Sequence, residues 1–185
     1  MNAREIEEYR ALRDTIRERS TTRVWIALVG LTAWAALTVT SGALAELPIA
    51  TLLPLLVLAL TFEIVFALHT GVERVGRYLQ VFFEDEAADR GWEHQAMAFG
   101  RQFPGSGPDP LFSTCFWAAV VLNLIPAAIA RPAAIEWAVV GAGHALVAAR
   151  IFVARRRAGA QRALDQDRFK RLKAQGASTS GPAQS

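Results

Sequence analysis

Cysteine is almost missing from this chain. Cys115 is the single thiol in 185 residues, which excludes an intramolecular disulfide and any multi-cysteine metal or iron–sulfur site. It sits in an apolar run and is expected to be a small buried hydrophobe. The short sequences that organise common enzyme chemistry are missing too: no glycine-rich phosphate loop, no His-Glu-x-x-His pair, no nucleophile elbow. An enzyme is therefore not expected, and no cofactor is called for. Charge is also absent over long distances. Val24 to Ala45 and Leu111 to Ala130 hold no charged residue, and Leu47 to His69 holds only Glu63.

What is present explains these gaps. Hydrophobic residues make up 52% of the chain and mean hydropathy is +0.23, yet 20% of residues are charged. The charge must be segregated, where a soluble domain would intersperse it. All but one of the twenty Lys and Arg fall before Val24, between His69 and Leu111, or after Ala149; the exception is Arg131. Lys and Arg are retained on the side where insertion begins. The reading is an all-α integral membrane protein with four transmembrane helices in an antiparallel bundle and both termini cytoplasmic. The net charge of +3 is assigned to anionic lipid headgroups and insertion topology, not to nucleic acid. The expected location is the cell (inner) membrane.

The expected spans are about 24–45, 47–69, 111–130 and 133–153, each near the roughly 20 residues that cross the hydrocarbon core. The fourth carries Glu136, His144 and Arg150, tolerable because Glu136 adjoins Trp137 at the outer interface and Arg150 has a stem long enough to reach headgroups. The outer connections are minimal, Glu46 before Pro48 and Arg131-Pro132. Ala43-Leu44-Ala45 resembles a signal-peptidase site, but the charged leader and the apolar run are both long for a signal peptide. The uncleaved, four-span reading follows.

Residues 1–23 are expected to form an amphipathic helix, with Ile6, Tyr9, Leu12 and Ile16 on one stripe and Arg4 and Glu8, and Arg10 and Asp14, spaced for ion pairs. In the loop 70–110 the stripe Val72, Val75, Leu79, Phe82 and Phe83 extends the second span as a long helix that packs on the N-terminal one. Gly100 to Pro110 should be a turn-rich connector. Residues 154–173 read as a basic helix, and 174–185, poor in anything to bury, as a disordered tail.

Polar side chains inside spans are the candidate functional residues, since each costs energy in lipid and needs a partner. At about 1.5 Å per residue, Glu63 and Arg150 both lie roughly 25 Å below the outer surface. The same count places His144 at roughly 16 Å and Asn123 at roughly 10 Å. Two polar layers are expected, Glu63 with Arg150 and His144 with Asn123. Asn123 reads first as assembly glue; for Glu63, glue and function weigh equally. Secondary candidates at the cytoplasmic boundary are His69, Glu73 and Arg74. His69 and Glu73 share a helical face, but two ligands do not make a metal site and Arg74 is an alternative partner for Glu73. No metal is expected, and His69 and His144 lie at levels too different to share a haem.

Packing signals are a small-residue stripe in span four (Ala134, Ala138, Gly141, Ala142, Ala145, Ala149) and two prolines, Pro54 and Pro126, which free the carbonyls of Ala50 and Leu122. The expected function is a non-catalytic, structural or partner-binding membrane module. Its basic cytoplasmic surface, led by the cluster Arg155, Arg156 and Arg157, would hold anionic lipid, a membrane-protein partner or a second copy. The alternative is a small oligomeric proton or ion pathway using Glu63.

Overall fold

The computed structural model describes residues 1–43, 48–84, 91–103 and 109–179. Among them there is no strand, and the chain forms six α-helices: α1 (Ala3–Ala43), α2 (Leu52–Phe82), α3 (Trp92–Gln102), α4 (Asp109–Leu122), α5 (Leu124–Ile129) and α6 (Ala134–Thr179), with a 3₁₀ turn at Pro48–Thr51. Four helical stretches are long and apolar enough to cross a membrane, Ala3–Ala43, Pro48–Phe82, Phe112–Ile129 and Ala134–Gly176. The expected connection at Glu46 and most of the Ala43-Leu44-Ala45 sequence lie outside the described residues.

The helix ends follow from local chemistry. Asn2 and Glu5 form a reciprocal cap at the start of α1: the Glu5 amide donates to the Asn2 side chain and the Asn2 amide to the Glu5 carboxylate, both at 2.8 Å. With no proline anywhere between Ala3 and Ala43, the expected junction between an N-terminal helix and the first span does not exist, and α1 runs unbroken through Ser20-Thr21-Thr22. Likewise α6 absorbs both the fourth span and the basic helix. It continues to Thr179, past Lys173, where an unstructured tail was expected; Ala174, Gln175 and Ala177 favour helix and the next proline is Pro182. Pro54 falls in the first turn of α2, where no intrahelical donor is needed. Pro126 does interrupt: it denies Leu122 its acceptor pairing, and the helix is broken at Asn123 between α4 and α5. α3 occupies the loop that was read as a connector from Gly100, and it persists to Gln102.

The chain divides into two compact units, each described by itself. The apolar unit comprises Thr21–Leu68 and Pro108–Arg156. Its core is Leu55, Leu58, Phe62 and Val65 from α2, Phe116, Ala119 and Val120 from α4, Ile151 and Ala154 from α6, and Ala27 from α1. Phe62 stands edge-on to Phe116 with centroids 5.3 Å apart. Gly30 is required by close approach, because a methyl group there would overlap the Thr61 side chain. Outward faces are also apolar, with Leu146 72% and Val29 63% exposed, the pattern of helices bathed in hydrocarbon instead of water. The small-residue stripe of α6 lies on this exposed side, so within the unit it does not receive a neighbouring helix as expected. Cys115 is exposed as well, not buried.

The charged unit comprises Met1–Ser20, His69–Gly107 and Arg157–Ser185. Leu79 and Val81 are buried in it. Tyr9 of α1 meets Phe83, and Tyr78 and Phe82 of α2 meet Phe169 of α6. Of the expected stripe, Phe83 meets the N-terminal helix and Phe82 meets α6. Two expected ion pairs of that helix are replaced: Asp14 pairs with Arg17, and Glu8 accepts from the Tyr78 hydroxyl.

Arg131 is the one non-glycine residue with positive φ among those described, at 48°. It ends α5 in a left-handed conformation that costs an L-residue about 1 kcal/mol. Arg131→Gly is expected to raise thermal stability in detergent by a few degrees; an unchanged or lower midpoint would show that the turn carries no strain.

Candidate functional site

Asn123 sits at the centre of the apolar unit and is fully buried, at 0% exposure. The break at Pro126 places it between α4 and α5, where its side chain reaches three elements. Its Oδ1 accepts from the Trp34 indole at 3.0 Å and lies 3.2 Å from the Thr38 hydroxyl, whose one proton goes to the nearer Trp34 carbonyl at 2.8 Å. Its Nδ2 donates to the Thr51 carbonyl at 2.9 Å and to His144 Nε2 at 3.1 Å. His144 Nδ1 lies 2.8 Å from the Val140 carbonyl. A carbonyl only accepts, so Nδ1 carries the proton and Nε2 is the acceptor for Asn123. This assignment closes the network with every donor matched to an acceptor. His144 and Asn123 therefore meet directly, and α1, the Pro48–Thr51 turn and α6 are all tied to one amide at the junction of α4 and α5.

Glu63 and Arg150 also meet. The Arg150 guanidinium holds both carboxylate oxygens, at 2.6 and 2.7 Å, and lies over the Phe66 ring with its carbon 5.7 Å from the centroid. The fork geometry is the strong form of a carboxylate pair. Both side chains are a little over two-fifths exposed, so the pair lies on the unit's outer surface and not in its core. A groove of about 360 Å³ between α1 and α2 is lined by Trp25, Val29, Val57, Leu60 and Ile64. Its one hydroxyl, on Thr61, is bound to the Val57 carbonyl at 2.7 Å, so the groove presents no free polar group.

In the charged unit, the boundary candidates take other partners than expected. Glu73 is held by Arg162 at 2.6 Å, with His69 Nε2 at 3.7 Å. Arg74, one alternative partner for Glu73, reaches Asp165 at 3.3 Å. The side chains at helix spacing along α2 point toward α6, and the residues opposite them decide the pairing.

A second cluster has no signature in the sequence. Glu84, just beyond α2, accepts the backbone amides of Glu93 and His94 at 2.9 and 3.0 Å, and His94 Nδ1 at 2.9 Å. Arg13 lies 3.7 Å from Glu84 and 2.7 Å from Glu93. Glu84 thereby caps the N-terminus of α3 from outside the helix. Burial works to raise its carboxyl, but the two amides and the His94 ring outweigh that and hold it below the usual carboxylate range. Gly91 is required here because a methyl group would overlap that carboxylate. Spacing rules do not find this cluster, because Arg13 and Glu84 are far apart in sequence. Trp34 and Thr38, four apart and on one helical face, were readable as a pair but not as partners of Asn123.

The basic residues of α6 differ in how they are engaged. Arg162, Arg168 and Arg171 pair with Glu73, Asp165 and Asp167, and Lys173 donates to the Val81 carbonyl. Arg155, Arg156 and Arg157 are exposed, and none of them has a carboxylate partner among the described residues. The Arg156 guanidinium lies over the Phe152 ring at 4.4 Å.

The fold and these sites define a class, an all-helical protein with four helices long and apolar enough to cross a membrane. Compared with family models, curated proteins and solved structures, the chain matches none.

Proposed function

We propose that this chain is a non-catalytic, multi-pass membrane module. Its four apolar helices cross the bilayer as an antiparallel bundle with both termini in the cytoplasm, placed by charge in the cell (inner) membrane, and it displays a helical cytoplasmic unit with a basic surface to anionic lipid headgroups or a membrane-protein partner. The observation that supports this reading most is the mutual engagement of four polar side chains within the apolar unit, Asn123, His144, Glu63 and Arg150. Asn123 and His144 satisfy one another and three neighbouring groups, and Glu63 is neutralised by Arg150. A carboxylate held by a guanidinium fork presents both oxygens to that partner and leaves neither as a free ligand for a passing ion. The engaged cations of α6 leave Arg155, Arg156 and Arg157 as the exposed positive run.

Three experiments test it. Proteoliposomes containing the full chain are expected to pass no more protons or cations than empty ones, and Glu63→Gln is expected to leave that baseline unmoved. A flux that disappears in Glu63→Gln overturns the module reading in favour of the ion pathway. In nanodiscs of mixed zwitterionic and anionic lipid, replacing Arg155, Arg156 and Arg157 together by Glu is expected to reduce co-purified anionic lipid at least tenfold, from about 1 kcal/mol per basic residue; unchanged lipid enrichment rejects the headgroup role. The orientation fails if a tag after Ser185 reacts with an impermeant reagent added outside cells.

A further inference from the structure

α3 carries an aromatic stripe that is largely exposed. Trp92 is 71% exposed, Phe99 55% and Phe103 49%, the last two with ring centroids 4.9 Å apart. At about 100° per residue these three and Ala96 fall within an arc of about 60°. The opposite side is fixed. The Glu93 and His94 amides and the His94 ring are held by Glu84, and Glu93 by Arg13, while Met97 and Ala98 are partly buried. The helix cannot roll its aromatic side inward without breaking that cluster.

We infer that α3 is an interfacial helix whose Trp92–Phe99–Phe103 face rests in the headgroup region of the membrane leaflet that its neighbouring helices enter. This goes beyond the proposed module, adding a second and sideways-lying attachment to the bilayer. Three arguments choose lipid as the occupant. Trp and Phe on one side of a helix with a polar opposite side are what the membrane interface selects. The tether is short: residues 103–108 separate α3 from α4, and even fully extended that link spans only about 24 Å. Lipid is therefore encountered as an intramolecular neighbour at high effective concentration. The exposed aromatic area, roughly 350 Å² from side chains of about 200 Å² each, is well under the roughly 800 Å² per partner of a stable protein interface.

The test is a nitroxide scan of positions 92–103 in the full chain, with the exposed Cys115 changed to Ser, reconstituted in vesicles of phosphatidylcholine and phosphatidylglycerol. Oxygen accessibility relative to that of a water-soluble nickel chelate is expected to peak at 92, 96, 99 and 103, at least threefold above 94, 97 and 98. Nickel accessibility peaking at those same positions places the stripe in water and overturns the inference. Exclusion of both reagents, with spin–spin broadening between labels at 99, places a second copy there and also overturns it. As an independent check, Trp92→Ser combined with Phe99→Ser and Phe103→Ser is expected to speed amide exchange over 92–102 in vesicles at least tenfold while residues 52–68 keep wild-type protection. Unchanged exchange over 92–102 counts against the inference. Ion-flux and lipid-enrichment results for the module do not enter either readout, so the two ideas fail separately.

Discussion

Asn123→Ala is expected to destabilise the apolar unit by about 3 kcal/mol, a loss to be read by titrating micelle-solubilised protein with a denaturing detergent. The side chain makes four contacts: the Trp34 indole, the Thr51 carbonyl and His144 Nε2 as hydrogen-bond partners, and the Thr38 hydroxyl at 3.2 Å. Its removal strands at least the indole, the carbonyl and the imidazole nitrogen where water does not reach, each worth about 1 kcal/mol or more, and leaves a cavity at a position with no exposure. Interhelical hydrogen bonds in membrane proteins average only about 0.6 kcal/mol, so a loss near that single-bond figure would show that the four contacts do not act together. Asn123→Asp separates geometry from hydrogen-bond direction. It keeps the acceptor facing Trp34 and Thr38 but turns the donor into an oxygen facing the Thr51 carbonyl and the lone pair of His144. It is therefore expected to be as damaging as alanine, and a mild effect would contradict the tautomer assigned to His144.

The second large effect is local. Glu84→Gln releases the N-terminus of α3 and leaves Arg13 with one carboxylate instead of two, at a cost of about 2 kcal/mol from charge-assisted hydrogen bonds. Amide exchange over Trp92–Gln102 is expected to accelerate by more than tenfold, with the apolar unit unchanged. The same site predicts a pH dependence. The Glu84 carboxyl titrates below its ordinary value near 4.5 because the amides of Glu93 and His94 and the His94 ring outweigh the effect of burial. Its contribution is therefore fully present above that ordinary value and is lost as pH falls through the lower folded value. Acidification is expected to loosen α3 in the wild type and to change the Glu84→Gln variant far less. Equal acid sensitivity in both would assign the loosening to another group.

Much of this molecule was legible before any coordinate. Four apolar runs and the pairing of Glu63 with Arg150 and of Asn123 with His144 follow from run length and from a constant rise per residue, because a helix converts sequence position into depth. Depth is one coordinate only. Which way a side chain faces around its axis depends on the neighbour, and so the partner of Arg74 was not settled by spacing: Glu73 is adjacent in sequence, but Asp165 of α6 is the group it reaches. Cys115 was misread for the same reason, since an apolar run that touches lipid on one side is as hydrophobic outside as inside. Helix continuity was underestimated at Arg23 and at Ala154, where a change from apolar to basic composition marks a change of surroundings without any change in backbone preference.

The sequence by itself determined that the chain is helical, that four of its stretches can cross a membrane, and where its charge is kept, because these are properties of composition read along one axis. Only the tertiary structure decided that Asn123 gathers Trp34, Thr38, Thr51 and His144, that Glu84 and Arg13 pin α3, and that the aromatic side of α3 faces outward. Those arrangements join residues separated by as many as 89 positions, and no local preference encodes contacts that form only once helices lie side by side.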